Sequence, residues 1–261
     1  MAGLPAAEAE RIAARGLAAE RAWGRAIPAL DRLFGRSPAR VDLGLDLVAA
    51  LLASGQTEAA NATLGRIVQV LARAGGAERD PRVDLAEAET AYRLGEQQRA
   101  AAAAARARDW ALAHGVGEIR LRAERLHAEA IARLDLRAEA QTELTRLEGE
   151  MAAAGMEREA AASRLALGKI LARTADNARA QETLERALAG LRAADDRSGE
   201  VGALVALAFQ GSKGGDLAPS LSLAQSAVAL AREIGDRWSE GEALVGCLAL
   251  ANWAGDAKTV L

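Results

Sequence analysis

Aromatic side chains are scarce in this chain: Phe, Trp and Tyr make up 3% of its 261 residues. A core must therefore be filled by Ala and Leu, which are strong helix formers. Val, Ile and Thr are too sparse for sheets. The single cysteine, Cys247, excludes an intrachain disulfide and a thiolate metal cluster. Two histidines, His114 and His127, make no zinc ligand set on their own. Of five prolines, Pro5, Pro38, Pro81 and Pro219 fall where first turns of helices are expected, a position that tolerates a missing N–H. There is no surplus of cations. The formal net charge is −3, which argues against direct nucleic-acid binding. Long apolar runs are absent too. The longest uncharged stretch, Leu217 to Ala231, falls short of the roughly 18–20 residues of a membrane span. The N-terminus lacks the apolar segment of a secretory signal. A cytoplasmic protein without membrane contact is expected.

What the chain does have is regular punctuation. One series of turn formers falls at Gly16, Gly55, Gly95, Asp135, Asp176-Asn177, Gly215-Asp216 and Gly255-Asp256. A second falls at Gly35, Gly75, Gly115, Gly155, Asp195 and Gly235. Each series has a forty-residue period, and a fixed period in this range marks a repeat array. Between turns the apolar residues keep helical spacing, as in Leu167, Gly168, Leu171 and then Ala180, Leu184, Ala187, Leu191. The unit is a hairpin of helix A and helix B. A hairpin with apolar surface on both flanks must stack on neighbours. The reading is an all-α solenoid forming one repeat domain over 1–261. Residues 1–35 are a partial unit. Full units follow at 36–75, 76–115, 116–155, 156–195 and 196–235, and 236–261 is partial again.

In register, small residues recur at Ala88, Ala128, Gly168 and Ala208 in helix A, and at Ala60, Ala100, Ala140, Ala180 and Ser220 in helix B. Ala107, Ala187 and Ala227 follow one or two turns later. With Gly-Asp turns between, this resembles the tetratricopeptide repeat. The forty-residue unit is similar to the bacterial variant of LuxR/MalT-like and AfsR-like regulators. HEAT-like repeats have similar length, but the small-residue triplet favours the tetratricopeptide reading. The resemblance implies a right-handed superhelix whose helices A line a concave face. Leu144, Leu184, Ala104 and Ala224 stand where the family places large aromatics.

No catalytic constellation is found, and neither enzyme activity nor a cofactor is expected. Gly211-Ser212-Lys213-Gly214-Gly215-Asp216 lacks the order of a phosphate loop and sits on a turn position. Cys247 reads as a small apolar side chain. One constellation points to binding. Arg93, Arg133, Arg173 and Lys213 are spaced by forty and share one helix A position. Glu89 and Glu129 stand four residues before the first two and neutralise them. Lys169 and Phe209 stand before the last two, which leaves positive charge at Lys169, Arg173 and Lys213 beside an apolar ring. That suits an acidic peptide or an anionic small ligand, since guanidinium forks match carboxylates. An ordinary solvated helix face has the same composition.

The C-terminal quarter is poor in charge, and the helix from Leu217 to Ala231 is expected to pack on both faces. The last helix A presents Val245, Cys247, Leu248 and Trp253 to whatever follows. A longer parent chain or a homodimer through this unit would cover them. Function is expected to be that of a protein-binding scaffold or regulatory module in signalling or transcription. The alternatives are a MalT-like small-ligand sensor and, less well supported, a nucleic-acid-binding array.

Overall fold

The computed structural model describes residues 6–73, 80–174, 176–215 and 217–254. Among them are thirteen α-helices and no strand. In order they are α1 (Ala6–Ala19), α2 (Trp23–Arg36), α3 (Val41–Ala53), α4 (Thr57–Arg73), α5 (Pro81–Leu94), α6 (Gln97–His114) and α7 (Gly117–Ala132). Then come α8 (Arg137–Ala153), α9 (Glu157–Leu171), α10 (Asn177–Ala193), α11 (Arg197–Ser212), α12 (Leu217–Glu233) and α13 (Arg237–Ala254). The chain forms two compact units, Met1–His127 and Ala128–Leu261, and the boundary falls inside α7.

Within the first unit, consecutive helices pack as antiparallel hairpins, α1 on α2, α3 on α4 and α5 on α6. Leu30, Phe34, Leu47, Leu64 and Ile67 are fully buried in its core. Each such side chain stabilises the unit by roughly 1.5–3 kcal/mol relative to exposure. In the second unit α9 pairs with α10 and α11 with α12, while α8 packs on α9 and α12 on α13. Leu184, Ala187 and Leu191 on α10 meet Leu165 on α9 and Ala203 and Leu207 on α11. Ala224, Ala227 and Ala231 on α12 meet Leu204 and Ala208 on α11 and Cys247 and Leu250 on α13.

The turns explain the period. Gly95, Gly115, Gly155, Gly215 and Gly235 all have φ between 65° and 88°, the left-handed conformation that glycine adopts without steric cost. Asp135 and Asp195 hold the same conformation at φ 66° and 51°. Their short polar side chains make that conformation less costly than most would. Aspartates also start helices. Asp80, Asp176, Asp196 and Asp236 accept from the backbone N–H of Arg82, Arg179, Gly199 and Ser239 at 2.9–3.1 Å. Each satisfies a donor that has no partner within the helix.

The first hairpin departs from the expected grid. Gly16 lies inside α1, and the turn comes later, at Arg21, which has φ 58°. Gly35 lies inside α2, where burial of Leu30, Leu33 and Phe34 carries the helix on to Arg36. Turn composition yields here to apolar periodicity. Pro38 sits in the turn before α3 rather than in a first turn, and Pro28, the remaining proline, lies within α2. Pro81 does occupy the start of α5. Pro5, Gly75, Asp216, Gly255 and Asp256 lie outside the described residues. α12 does not pack on both faces. Ser222, Gln225, Ser226 and Ala229 form an exposed, uncharged side, so a lack of charge did not mean burial.

Small residues sit where helices approach. A Cβ added to Gly168 would stand 2.6 Å from Cδ2 and 2.8 Å from Cγ of Leu184, which is fully buried. Gly168 thus meets Leu184, one turn beyond Ala180, and a leucine fills the space that an aromatic ring would take.

Candidate functional site

The helix A position shared by Arg93, Arg133, Arg173 and Lys213 is used in more than one way. Arg93 donates through Nη1 to the carbonyl of Leu52 at 2.8 Å and through Nη2 to Glu89 at 2.8 Å. Lys213 donates to the carbonyl of Ala172 and, at 3.1 Å, to Oδ1 of Asn177. Both cations reach back forty-one residues, to the C-terminal end of the preceding helix A. Carbonyls there lack an intrahelical partner and carry the negative end of the helix dipole. Each therefore fastens one hairpin to the one before it. Lys213 is thus engaged, not left open as the sequence pattern implied.

Arg173 and Lys169 differ. Both side chains are exposed, and neither makes a hydrogen bond or ion pair among the described residues. Lys169 lies in the last turn of α9, and Arg173 follows two residues past its end. Arg133 is exposed as well, just past the end of α7.

Beside them the face is apolar. Lys169 Nζ lies 3.7 Å from the point where a Cβ on Gly202 would sit, so the lysine lies along α11. Val205 and Phe209 follow on α11, both half-buried. On α13 Gly246 packs under both, with their side-chain carbons 3.4–3.7 Å from its missing Cβ position. The Phe209 ring meets Trp253 edge-on, with centroids 6.3 Å apart. Trp253 is nonetheless 61% exposed and Val245 67% exposed. The second unit thus offers, at the C-terminal end of α9, two cations uncommitted among the described residues and, across α11, a wall of Val205, Phe209, Val245 and Trp253. The sequence reading missed Val205, Gly202 and Gly246. The forty-residue register contained them, since they follow Leu165, Ala162 and Ala206 by one period.

Leu248 is exposed on α13, away from this wall in helical register, at the position where Gly168 and Ala208 meet their own helix B. Cys247 is the small buried side chain that its type implied, and it is not presented at the surface with Val245, Leu248 and Trp253. It is buried among Ala227, Ala243 and Leu250, and that burial pushes its thiol above the ordinary cysteine range.

The first unit spends its charge internally. Arg11 lies 2.7 Å from both Asp42 and Asp46, and Arg40 lies 3.2 Å from Glu8 and 2.5 Å from Asp42. The Arg40 guanidinium, helped by Arg11, holds the Asp42 carboxyl below the usual carboxylate range. Arg11 itself is held above its ordinary value, chiefly by its hydrogen bond to Asp46.

Among the described residues, no three His, Cys, Asp or Glu side chains converge where a metal could sit, and no helix is long and apolar enough to cross a membrane. His114 is stacked on Trp110 at the end of α6 and hydrogen-bonds the Trp110 carbonyl at 2.8 Å.

Comparison with known proteins follows the fold. No curated protein sequence matches this chain. A Rap protein solved with Competence and Sporulation Factor is similar in structure, with TM-score 0.75 at 14% identity, covering 100% of this chain and 75% of that one. NprR in complex with its cognate peptide NprX aligns with TM-score 0.80 at 12% identity over 98% of this chain and 76% of its own. The Rap conjugation gene regulator of plasmid pLS20, in complex with the Phr* peptide, gives 0.62 at 14% identity over 97% and 75%. At such identities the likeness shows the fold, an α-solenoid of stacked antiparallel hairpins. Residues 17–74 match the tetratricopeptide repeat model. That match lies near one end, and helical hairpins recur in both units.

Proposed function

We propose that this protein is a regulatory module that binds a peptide segment on the face formed by helices α9, α11 and α13, which would be the concave face of the solenoid. The observation that carries the reading is the pair Lys169 and Arg173. Both are exposed and without a hydrogen-bond or ion-pair partner among the described residues, beside the apolar wall of Val205, Phe209 and Trp253. Unpaired cations next to exposed aromatic surface are a recognition composition rather than a packing one. The structural neighbours support it, since two of them were solved with peptides. Arg93 and Lys213, with their donors on carbonyls, would set the spacing of the hairpins and contribute less to the partner. Arg133 would extend the positive edge.

Selection of random octapeptides on the immobilised protein tests the reading. Recovered peptides should bind in the micromolar range or tighter, and a metabolite panel should leave the melting temperature unchanged. If a metabolite raises it and no peptide is recovered, the ligand-sensor reading replaces this one.

A second proposal concerns self-association through α13, which rests on the exposure of Val245, Leu248 and Trp253. Sedimentation velocity should show a concentration-dependent dimer that the pair Val245→Asp and Leu248→Lys abolishes. A monomer at high micromolar concentration would reject it.

A further inference from the structure

We infer that the second unit reads two anchors within one short extended segment: a carboxylate held by Lys169 and Arg173, and a large apolar side chain set against Phe209, Val245 and Trp253. This rests on the peptide-binding reading and goes on to name the chemistry and the order of its partner.

Charge complementarity fixes the first anchor. Lys169 stands in the last turn of α9 and Arg173 two residues past its end, and neither meets an acid among the described residues. A carboxylate placed between them gains a fork from Arg173 and a point charge from Lys169. The bare surface at Gly202 keeps the approach open, because a side chain there would come within 3.7 Å of Lys169 Nζ.

Surface exposure fixes the second anchor. Trp253 offers one edge to Phe209 and leaves 61% of its surface uncovered, and Val245 leaves 67%. Gly246 between them gives the wall a flat floor at which a large side chain can lie.

The register fixes the order. Phe209 follows Lys169 by one forty-residue period, and Trp253 follows Arg173 by two. The path from cation to ring therefore runs across the helices, from α9 over α11 to α13. Packed helices lie about 8–10 Å apart. The two steps make about 16–20 Å, which an extended chain covers in about five or six residues at roughly 3.3 Å each. The two anchors of the partner are thus an acidic residue and an apolar one about five or six positions away. A peptide with its acid and its apolar residue adjacent, or with basic residues in place of the acid, does not satisfy both sites.

The octapeptide selection distinguishes the outcomes. Phage-displayed random octapeptides recovered on the wild-type protein should pair Asp or Glu with Leu, Ile, Phe or Trp about five or six residues away. Synthetic versions, measured by fluorescence anisotropy, should lose at least about tenfold in affinity when the acid becomes its amide. They should lose as much on the Lys169→Glu, Arg173→Glu protein, and the two losses should not add, because they remove the same contact. Trp253→Ala should weaken binding by a similar factor without reducing the effect of the acid. These side chains are exposed, so circular dichroism should be unchanged. Recovered peptides that lack the pair, or that bind the double variant as tightly as the wild type, overturn the two-anchor inference and leave peptide binding standing. Recovery of no peptide at all overturns both.

Discussion

Replacing Gly168 by alanine should destabilise the protein, although alanine is the better helix former. Two effects compete. Helix propensity favours alanine over glycine by about 1 kcal/mol in a helix interior. Against it stands Leu184. The added methyl would lie 2.6 Å from Leu184 Cδ2 and 2.8 Å from Cγ, well inside contact distance. Leu184 is fully buried and packed among Leu165, Ala187, Leu191 and Leu207, so it has little room to rotate away. Overpacking of this kind costs about 1–3 kcal/mol. The net expectation is a loss of up to about 2 kcal/mol, measured as a fall in the urea midpoint followed by circular dichroism. A cycle with Leu184→Ala isolates the contact. That substitution alone opens a cavity and should cost about 2–5 kcal/mol. In its background the clash is gone, so Gly168→Ala should become stabilising by up to about 1 kcal/mol, the propensity term alone. The same substitution thus changes sign with its neighbour. If Gly168→Ala raises the midpoint in the wild-type background, the close approach of α9 and α10 is not what requires glycine, and the reasoning fails.

Further tests follow the same logic. Asp195 holds φ 51° where Gly115, Gly155 and Gly235 stand at equivalent turns, so Asp195→Gly should stabilise by roughly 0.5–1 kcal/mol in urea unfolding. Lys213→Met removes the donor that fastens α11 to the Ala172 carbonyl and should cost up to about 1 kcal/mol, since the site is exposed. Lys169→Met should change stability by less than about 0.5 kcal/mol while weakening peptide binding. Asp42 has its folded pKa depressed, so its contribution is complete above its unfolded value near 3.9 and is lost as pH falls through the lower folded value. Asp42→Asn should lower the melting temperature at pH 7, and the difference from the wild type should shrink below about pH 4.

The hairpin period was legible because it depends on local chemistry. A glycine or aspartate at every twentieth position, with apolar residues at helical spacing between, leaves few alternatives. The first hairpin was misread for the same reason. Gly16 and Gly35 look like turns, but Leu30, Leu33 and Phe34 bury enough surface to carry the helix past the second of them. Cys247 and the outer side of α12 depended on which neighbour covers which stripe, and composition does not carry that information. The four-cation ladder was visible, but the partition of its members was not. Lys213 and Arg173 share a register and a charge, yet only Lys213 finds a carbonyl and an amide oxygen within reach. That difference follows from the orientation of the Asn177 side chain and the fray of α9 after Leu171, both of them tertiary details.

On the proposed reading, the fate of cations separates structural surface from recognition surface in each unit considered alone. In the first unit Arg11, Arg40, Asp42, Asp46 and Glu8 form one partly buried network, and Arg93 divides its donors between Glu89 and Leu52. A ligand carboxylate arriving there would have to displace an existing partner and repay its hydrogen bonds. Lys169 and Arg173 impose no such exchange, so an incoming anion meets only the cost of removing water. Binding confined to that pair should weaken steeply as ionic strength rises from 0.05 to about 0.5 M, because the charges are exposed and screened. The network around Arg11 is shielded by its own burial and should respond less. A binding constant that stays flat across that range would place recognition away from Lys169 and Arg173.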